Sequence, residues 1–380
     1  MLPISPSPTP GLISFAYGLP DPDLFPVASI MAATSSVLDR FSNRALQYGS
    51  FQGLTELILA VTERLKRVEG VSLLPEQCLV TTGSTQGNDL IMRALLKPGD
   101  TVLLETPTWP AIIDILRSHS ANVVPIPIDS YGLNLTALES TILTLISKGI
   151  LPKLLYTIPT FHNPTGITMS LPRRLALLDI ARRYNFTVVE DDAYRDISFG
   201  GTVPQTLLAL DKDDRVIRLG TFSKIVAPGL RLGWLLGKSD IVAKITTIRN
   251  DSGTSPFVSY IATVYMMSGK FDEHIAQVVE AYRSKAHMML QSISSNFPLS
   301  VSWTQPSGGF FVWVTLPAHQ EMSSLLKMAR ERGVEFLPGQ VCCPESVTDT
   351  SHVRLAFSMV NLNEIEEGIE RLSEVLKETL

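Results

Sequence analysis

Between residues 78 and 220, short apolar runs alternate with helix-patterned segments, and nothing else in the chain restricts its fold as much. The runs are CLVTTG from residue 78, TVLLE from 101, NVVPIPI from 122, KLLYTIP from 153, FTVVED from 186 and RVIRLG from 215. Between several of them lie STQGNDLIMRALL, PAIIDILRSH and PRRLALLDIARRY, whose apolar residues recur at helical spacing. Each run is apolar along its length rather than on alternate positions, so both faces of such a strand must be covered. Strands and helices in this order predict an α/β fold with a mainly parallel sheet and helices on both faces.

Beyond about residue 250 the texture changes. FDEHIAQVVEAYRSKAHMMLQSI reads as a long amphipathic helix, GGFFVWVTLP and HVRLAFS as strands. The last segment places Ile365, Ile369, Leu372 and Leu376 on one helical face. This α+β texture predicts a smaller second domain. Three units are expected: residues 1–45 as an N-terminal arm and part of the small domain, 46–250 as a large domain, and 251–380 as the C-terminal small domain. PISPSPTP, residues 3–10, reads as an extended arm.

Composition removes several functions. The 380 residues carry a formal net charge of −5, which argues against a nucleic-acid surface. No run approaches the ~20 apolar residues that span a bilayer, and the N-terminus lacks a signal-peptide pattern. Cys78, Cys342 and Cys343 are an odd set without metal-ligand spacing, so neither a disulfide framework nor a metal site is expected. A cytoplasmic protein fits best. GxGxxG, GxxxxGK[ST] and HExxH are absent; Ser324 and Lys327 match SxxK without its companion motifs.

In an open parallel sheet, ligands bind beyond the carboxyl ends of the strands. Those ends are rich in polar side chains here. Gly83, Ser84 and Thr85 follow the first run and open a helix; Trp109 follows the second; Asn163 lies in TFHNPTG; Asp191 and Tyr194 lie in EDDAY; Thr221, Ser223 and Lys224 lie in GTFSK. Lys224 is flanked by Phe222, Ile225, Val226 and Leu232. A lysine in apolar surroundings lowers its pKa or forms a covalent bond. Such an amine can form a Schiff base with an aldehyde, an acid at a strand end can keep a pyridine nitrogen protonated, and an indole can stack on a ring. Helix N–H groups with hydroxyls and an arginine can hold a phosphate. Pyridoxal 5'-phosphate (PLP) requires all of these. Taken singly, each residue has a plainer reading: Asp191 or Asp192 as a helix cap, Trp109 as core, Arg354 in a structural ion pair, His162 as packing.

The motifs ISFAYGLPDPDLFP, LQYGSFQGLTELILAV, TTGSTQGNDL, ETPTW, PTFHNPTG, EDDAYRD, TFSKIVAPGLRLGW, SGGFFVWVTLP and HVRLAFS, in this order, resemble fold type I PLP-dependent enzymes. Within them the chain is most similar to class I/II aminotransferases of the 2-aminoadipate and kynurenine type and to the catalytic domain of MocR-like regulators. The resemblance implies a seven-stranded, mainly parallel sheet and a smaller α+β domain. It makes Lys224 the Schiff-base lysine and proton carrier, and Asp191 the partner of the pyridinium nitrogen. Asn163 and Tyr194 would bond the ring oxygen, and Trp109 would stack on the ring. Gly83, Ser84, Thr85, Thr221 and Arg231 would surround the phosphate. Tyr48 would reach the cofactor of a neighbouring subunit, so a homodimer with shared active sites is implied. Arg354 would grip the α-carboxylate, with Tyr17 and Asn163 also on the substrate side. A cis Asn163–Pro164 bond is permitted.

The implied reaction moves an amino group from an L-amino acid to a 2-oxo acid. Tyr17 and His162 depart from the usual pattern, and they keep open an elimination, replacement or cyclisation of an amino acid on the same scaffold. A ligand-sensing regulator is a third reading; the similarity beginning by about residue 12 leaves no room before it for a winged helix.

Overall fold

The computed structural model describes residues 11–317 and 321–380; the arm expected at residues 3–10 lies outside them. Strand β1 (Ile13–Ser14) is followed by the eight strands of the main sheet. These are β2 (Cys78–Thr81), β3 (Thr101–Thr106), β4 (Asn122–Asp129), β5 (Gly132–Leu133), β6 (Leu154–Thr157), β7 (Thr187–Asp191), β8 (Val216–Thr221) and β9 (Gly233–Leu236). Their spatial order is β2-β9-β8-β7-β6-β3-β4-β5. The run β8-β7-β6-β3-β4 is parallel, and β9 enters antiparallel between β2 and β8. Seven strands match the expectation; the eighth, β5, is a two-residue return of the chain along the edge of β4.

Each predicted strand divides its side chains between two cores. Val102 and Leu104 enter one cluster and Leu103 the other; Leu154 and Leu155 divide likewise, as do Val189 and Val188. That is the two-residue period of a strand buried on both faces. Burial of such a side chain contributes about 1.5–3 kcal/mol, so the covering helices are held chiefly by these rows. A helix forms at Thr55–Glu69, and the three expected helices at Gly83–Leu95, Pro110–Ser118 and Leu171–Tyr184. Gly70, in the left-handed conformation at φ 71°, ends the first of them.

The second texture holds β10 (Ser302–Trp303), β11 (Phe311–Thr315), β12 (Val334–Glu335), β13 (Leu337–Pro338) and β14 (His352–Ala356). Four of them form an antiparallel sheet in the order β10-β11-β14-β13, while β12 pairs in parallel with β1. The long helix runs Lys270–Asn296, and the last helix, Leu362–Thr379, buries Ile365, Ile369, Leu372 and Leu376. Its start carries a capping box between Asn361 and Glu364. No described helix is long and apolar enough to cross a membrane.

Candidate active site

Parallel strands that end together bring their following residues to one place. Asp191 is the last residue of β7, Thr221 the last of β8, and Asn163 follows β6 in a turn that contains a cis Asn163–Pro164 bond. Lys224 lies three residues beyond β8, with Nζ 5.7 Å from the Tyr194 ring centroid and 5.8 Å from that of Phe310. The residue keeps some exposure along its chain, but its amine is enclosed. Burial, with the repulsion of Arg354, lowers the Lys224 amine to about 8. Nζ donates to the Gly18 carbonyl at 3.1 Å, and no carboxylate lies within ion-pair distance among the described residues.

Asp191 is buried and accepts hydrogen bonds from Asn88 Nδ2 at 3.0 Å and Tyr156 Oη at 2.8 Å. Desolvation raises its carboxyl to about 6 in spite of these bonds. Asp192, one residue on, belongs elsewhere: it pairs with Arg218 at 2.9 Å. The two neighbouring aspartates thus have separate surroundings, and Asp191, which the motif favoured, is the one without a cation among the described residues.

Arg354, on β14, reaches the large sheet's end from the opposite side. Nη1 donates to Asn163 Oδ1 at 2.9 Å, Nη2 to the Ala16 carbonyl at 2.6 Å, and the guanidinium lies 4.4 Å from the Phe311 ring centroid. The residue is 6% exposed and its Nε has no partner. No described carboxylate pairs with it, contrary to the plainer reading of a structural ion pair. A buried guanidinium without a counter-charge is costly unless an anion arrives. Asn163 Nδ2 also donates to Tyr194 Oη at 3.4 Å, and burial pushes the Tyr194 hydroxyl upward.

A cradle lies beside these groups at the start of helix Gly83–Leu95. Gly83 has φ 78°, and a Cβ there would meet Arg231 Nη2 at 2.9 Å; a Cβ at Gly233 would meet Ser84 N at 3.0 Å. The backbone is open because side chains are missing. Arg231 is exposed and held at φ 48°, and Thr221 Oγ1 donates to Ser223 Oγ at 3.0 Å. Unpaired helix N–H groups with an arginine across them suit a phosphate.

Trp109 caps helix Pro110–Ser118 and packs beside the core that covers one face of the sheet. Thr85 is exposed, and Tyr48 is 84% exposed on the loop after helix Val27–Ala45. The Tyr17 hydroxyl is raised by burial and by Glu335, with Arg330 opposing; these neighbours are not the ones that act on Lys224. His162 is buried, with Nδ1 2.8 Å from Thr165 Oγ1 and Nε2 3.1 Å from the Glu105 carboxylate. It is a packed side chain, as its plainer reading had it. Cys342 and Cys343 are buried thiols pushed up to about 12 by desolvation.

Sequence reasoning missed Asn88, Tyr156, Phe311 and the Gly18 carbonyl. Asn88 stands one helical turn beyond Ser84, on the face Ser84 presents; that spacing was the available signal. The Gly18 contact had none, since any residue carries a carbonyl.

The sequence profile of aminotransferase class I and II matches residues 11–372. The chain belongs to that family. Aromatic-amino-acid aminotransferase 1 of Thermococcus litoralis is 38% identical over 98% of this chain and 89% of its own length. The kynurenine aminotransferase of Pyrococcus horikoshii, solved in complex with PMP, superposes with a TM-score of 0.94 at 37% identity, covering 98% of this chain and 92% of that one. LysN, the alpha-aminoadipate aminotransferase of Thermus thermophilus, complexed with N-(5'-phosphopyridoxyl)-L-leucine, gives 0.89 at 34% identity over 97% and 93%. This aminotransferase is therefore a fold type I enzyme of PLP-dependent transamination, and its family implies pyridoxal phosphate as cofactor. The residues present fit that group: an amine without an acid partner, a buried carboxyl without a cation, and a glycine-lined helix start faced by Arg231.

Proposed function

We propose that this aminotransferase takes an aromatic L-amino acid or L-2-aminoadipate as donor and a 2-oxo acid as acceptor, with Lys224 as its catalytic base. The observation that carries the site assignment is the set of three buried ionisable groups, Lys224, Asp191 and Arg354, none with an oppositely charged partner among the described residues. Structural charges are normally paired when buried. The donor class rests on the activities named for the Thermococcus, Pyrococcus and Thermus relatives.

Arg354 binds the α-carboxylate through the Nε edge it leaves free, and Asn163 and Phe311 orient the guanidinium. Pyridoxal phosphate, when bound, supplies the aldehyde that exchanges with the amino group and the ring that draws electrons from Cα. Gly83, Ser84, Thr85, Thr221 and Arg231 hold its phosphate, Asp191 its ring nitrogen, and Asn163 and Tyr194 its ring oxygen, with Trp109 against the ring face. Lys224 takes the Cα proton in its neutral form, which its pKa of about 8 makes accessible near neutral pH. Tyr48, exposed in a single chain, completes the phosphate site of a second copy, so the working unit is a homodimer. Tyr17 lies at the substrate side. Residues 46–250 form the cofactor domain, and the described residues of 11–45 and 251–380 form the smaller domain that brings Arg354. Three free thiols suit a cytoplasmic, reducing setting.

The test is a titration of the PLP-loaded protein with single amino acids, followed by absorbance and by mass spectrometry of the released cofactor. Pyridoxamine phosphate formed with phenylalanine, tyrosine or 2-aminoadipate, and reconverted by 2-oxoglutarate, supports the reading. An altered amino acid with no pyridoxamine phosphate would overturn it.

A further inference from the structure

The amine of Lys224 is held by a backbone carbonyl on a strap, residues 15–21, that crosses the site. Upstream of Gly18 the strap is fastened by sheet-like bonds. Phe15 N donates to Glu335 O at 2.8 Å, Ala356 N to Phe15 O at 2.8 Å, and Arg354 Nη2 to Ala16 O at 2.6 Å. Downstream there is no strand to hold it. There the helix Lys270–Asn296 supplies side chains instead: Lys285 Nζ donates to Asp21 Oδ2 at 2.6 Å and to Ser358 O at 2.9 Å, and Tyr282 Oη accepts from Asp21 N at 2.9 Å. Ser358 Oγ closes the cluster by donating to Leu19 O at 2.6 Å. At the middle Gly18 lies so close to Phe311 that a Cβ would sit 2.5 Å from its ring. The strap is therefore packed against Phe311 at Gly18 and tied on both sides of it, and these ties restrict where its carbonyl can meet Lys224.

We propose that Lys285 and Tyr282 are positioning residues for Lys224, acting through the strap to hold the Gly18 carbonyl at Nζ. The proposal rests on the reading of Lys224 as the base. An amine that donates one N–H to a fixed acceptor has its remaining directions, including the lone pair, set by that bond. Without it the side chain keeps several rotamers, and proton transfer is sensitive to misplacement of about 1 Å. Lys285 spends its hydrogen bonds on Asp21 and Ser358 O, so it acts through the strap. Its side chain is 9% exposed and its ion pair with Asp21 is correspondingly sheltered, so the anchor is stiff.

The PLP-loaded variants Lys285→Met, Lys285→Arg and Tyr282→Phe are assayed with L-phenylalanine and with its Cα-deuterated form. Lys285→Met is expected to lower kcat about tenfold or more, leave KM within about threefold, and enlarge the deuterium isotope effect, because Cα proton transfer becomes slower. Lys285→Arg restores most of the rate, and Tyr282→Phe shows the same split on a smaller scale. In the cofactor-free protein, hydrogen exchange of peptides covering residues 15–24 quickens in Lys285→Met. A wild-type kcat and isotope effect in a variant whose strap exchanges faster would overturn the proposal, as would equal losses in every parameter that Lys285→Arg fails to rescue. If Lys285→Met does not fold, the kcat and isotope effect of Tyr282→Phe decide. Retained turnover in Lys224→Ala would instead refute the role of Lys224, while strap exchange would still report the anchor.

Discussion

Two buried charge clusters begin at consecutive residues, Asp191 and Asp192, and are built on opposite rules. Asp192 belongs to a paired group. Arg218 donates to Glu69 at 2.7 and 2.9 Å and to Asp192 at 3.0 Å; Arg195 adds a contact to Glu69 at 3.5 Å. Burial alone would lower Arg218, but Glu69 and Asp192 more than reverse it and leave the guanidinium raised. Asp191, by contrast, faces neutral donors, and Lys224 faces a carbonyl and two rings. Neither has an ion pair among the described residues; desolvation outweighs the hydrogen bonds to Asp191 and the distant pull of Asp191 on Lys224, so the acid rises and the amine falls. The difference teaches that the pairing of a buried charge, not its burial, separates a structural group from one kept ready for a ligand.

The sharpest way to break this comparison is Lys224→Ala. Turnover should fall at least about 10⁴-fold, the scale of a lost general base and nucleophile, while the cofactor-free protein melts no earlier than wild type. A lower melting point would mean that Lys224 is structural after all. Arg218→Met is the opposite experiment: urea unfolding should reveal a loss of about 3–5 kcal/mol, from the carboxylates left unpaired, with kcat per folded molecule close to wild type. If activity fell more than stability, the paired cluster would also serve chemistry.

Arg354→Leu is expected to raise KM for the amino acid by roughly 30- to 100-fold, the equivalent of about 2–3 kcal/mol for a charge-assisted contact. Its effect on KM for an amine lacking the carboxylate should be small, and an equal loss for both would remove the carboxylate grip. The smallest effect is in pH. Lys224 titrates near 8 folded against 10.5 unfolded, so between these values the unfolded chain binds more protons and stability rises with pH. The cofactor-free wild type should gain on Lys224→Ala by about 1–3 kcal/mol from pH 8 to 10; parallel curves would contradict the low amine pKa.

Much of this was legible in the chain. The apolar runs marked six strands of the large sheet, β2, β3, β4, β6, β7 and β8, because a strand buried on both faces admits few polar residues, and their ends pointed to Asn163, Asp191 and Lys224; β9, which begins within the stretch GLRLGW, was not among the runs. The short β5 escaped notice because a two-residue return has no period to read. Tyr156 escaped because it sits inside the run KLLYTIP, where a tyrosine looks like core until its hydroxyl is found 2.8 Å from Asp191. The motif had favoured Asp191 over Asp192; what it did not contain was the partner of Asp192, which is Arg218.

By itself the sequence determined the order of strands and helices, the two textures, the residues at the strand ends and, through its motifs, the family. Those are local patterns and short-range spacings, and they survive without coordinates. Only the tertiary structure decided that Arg354 comes within 2.9 Å of Asn163, 191 positions away, and that Lys224 hangs from the carbonyl of Gly18, 206 positions away. The motifs implied that Arg354 and Asn163 serve one site but not the bond between them, which depends on how two separately built sheets face one another, and the Gly18 contact uses a backbone group that every residue shares.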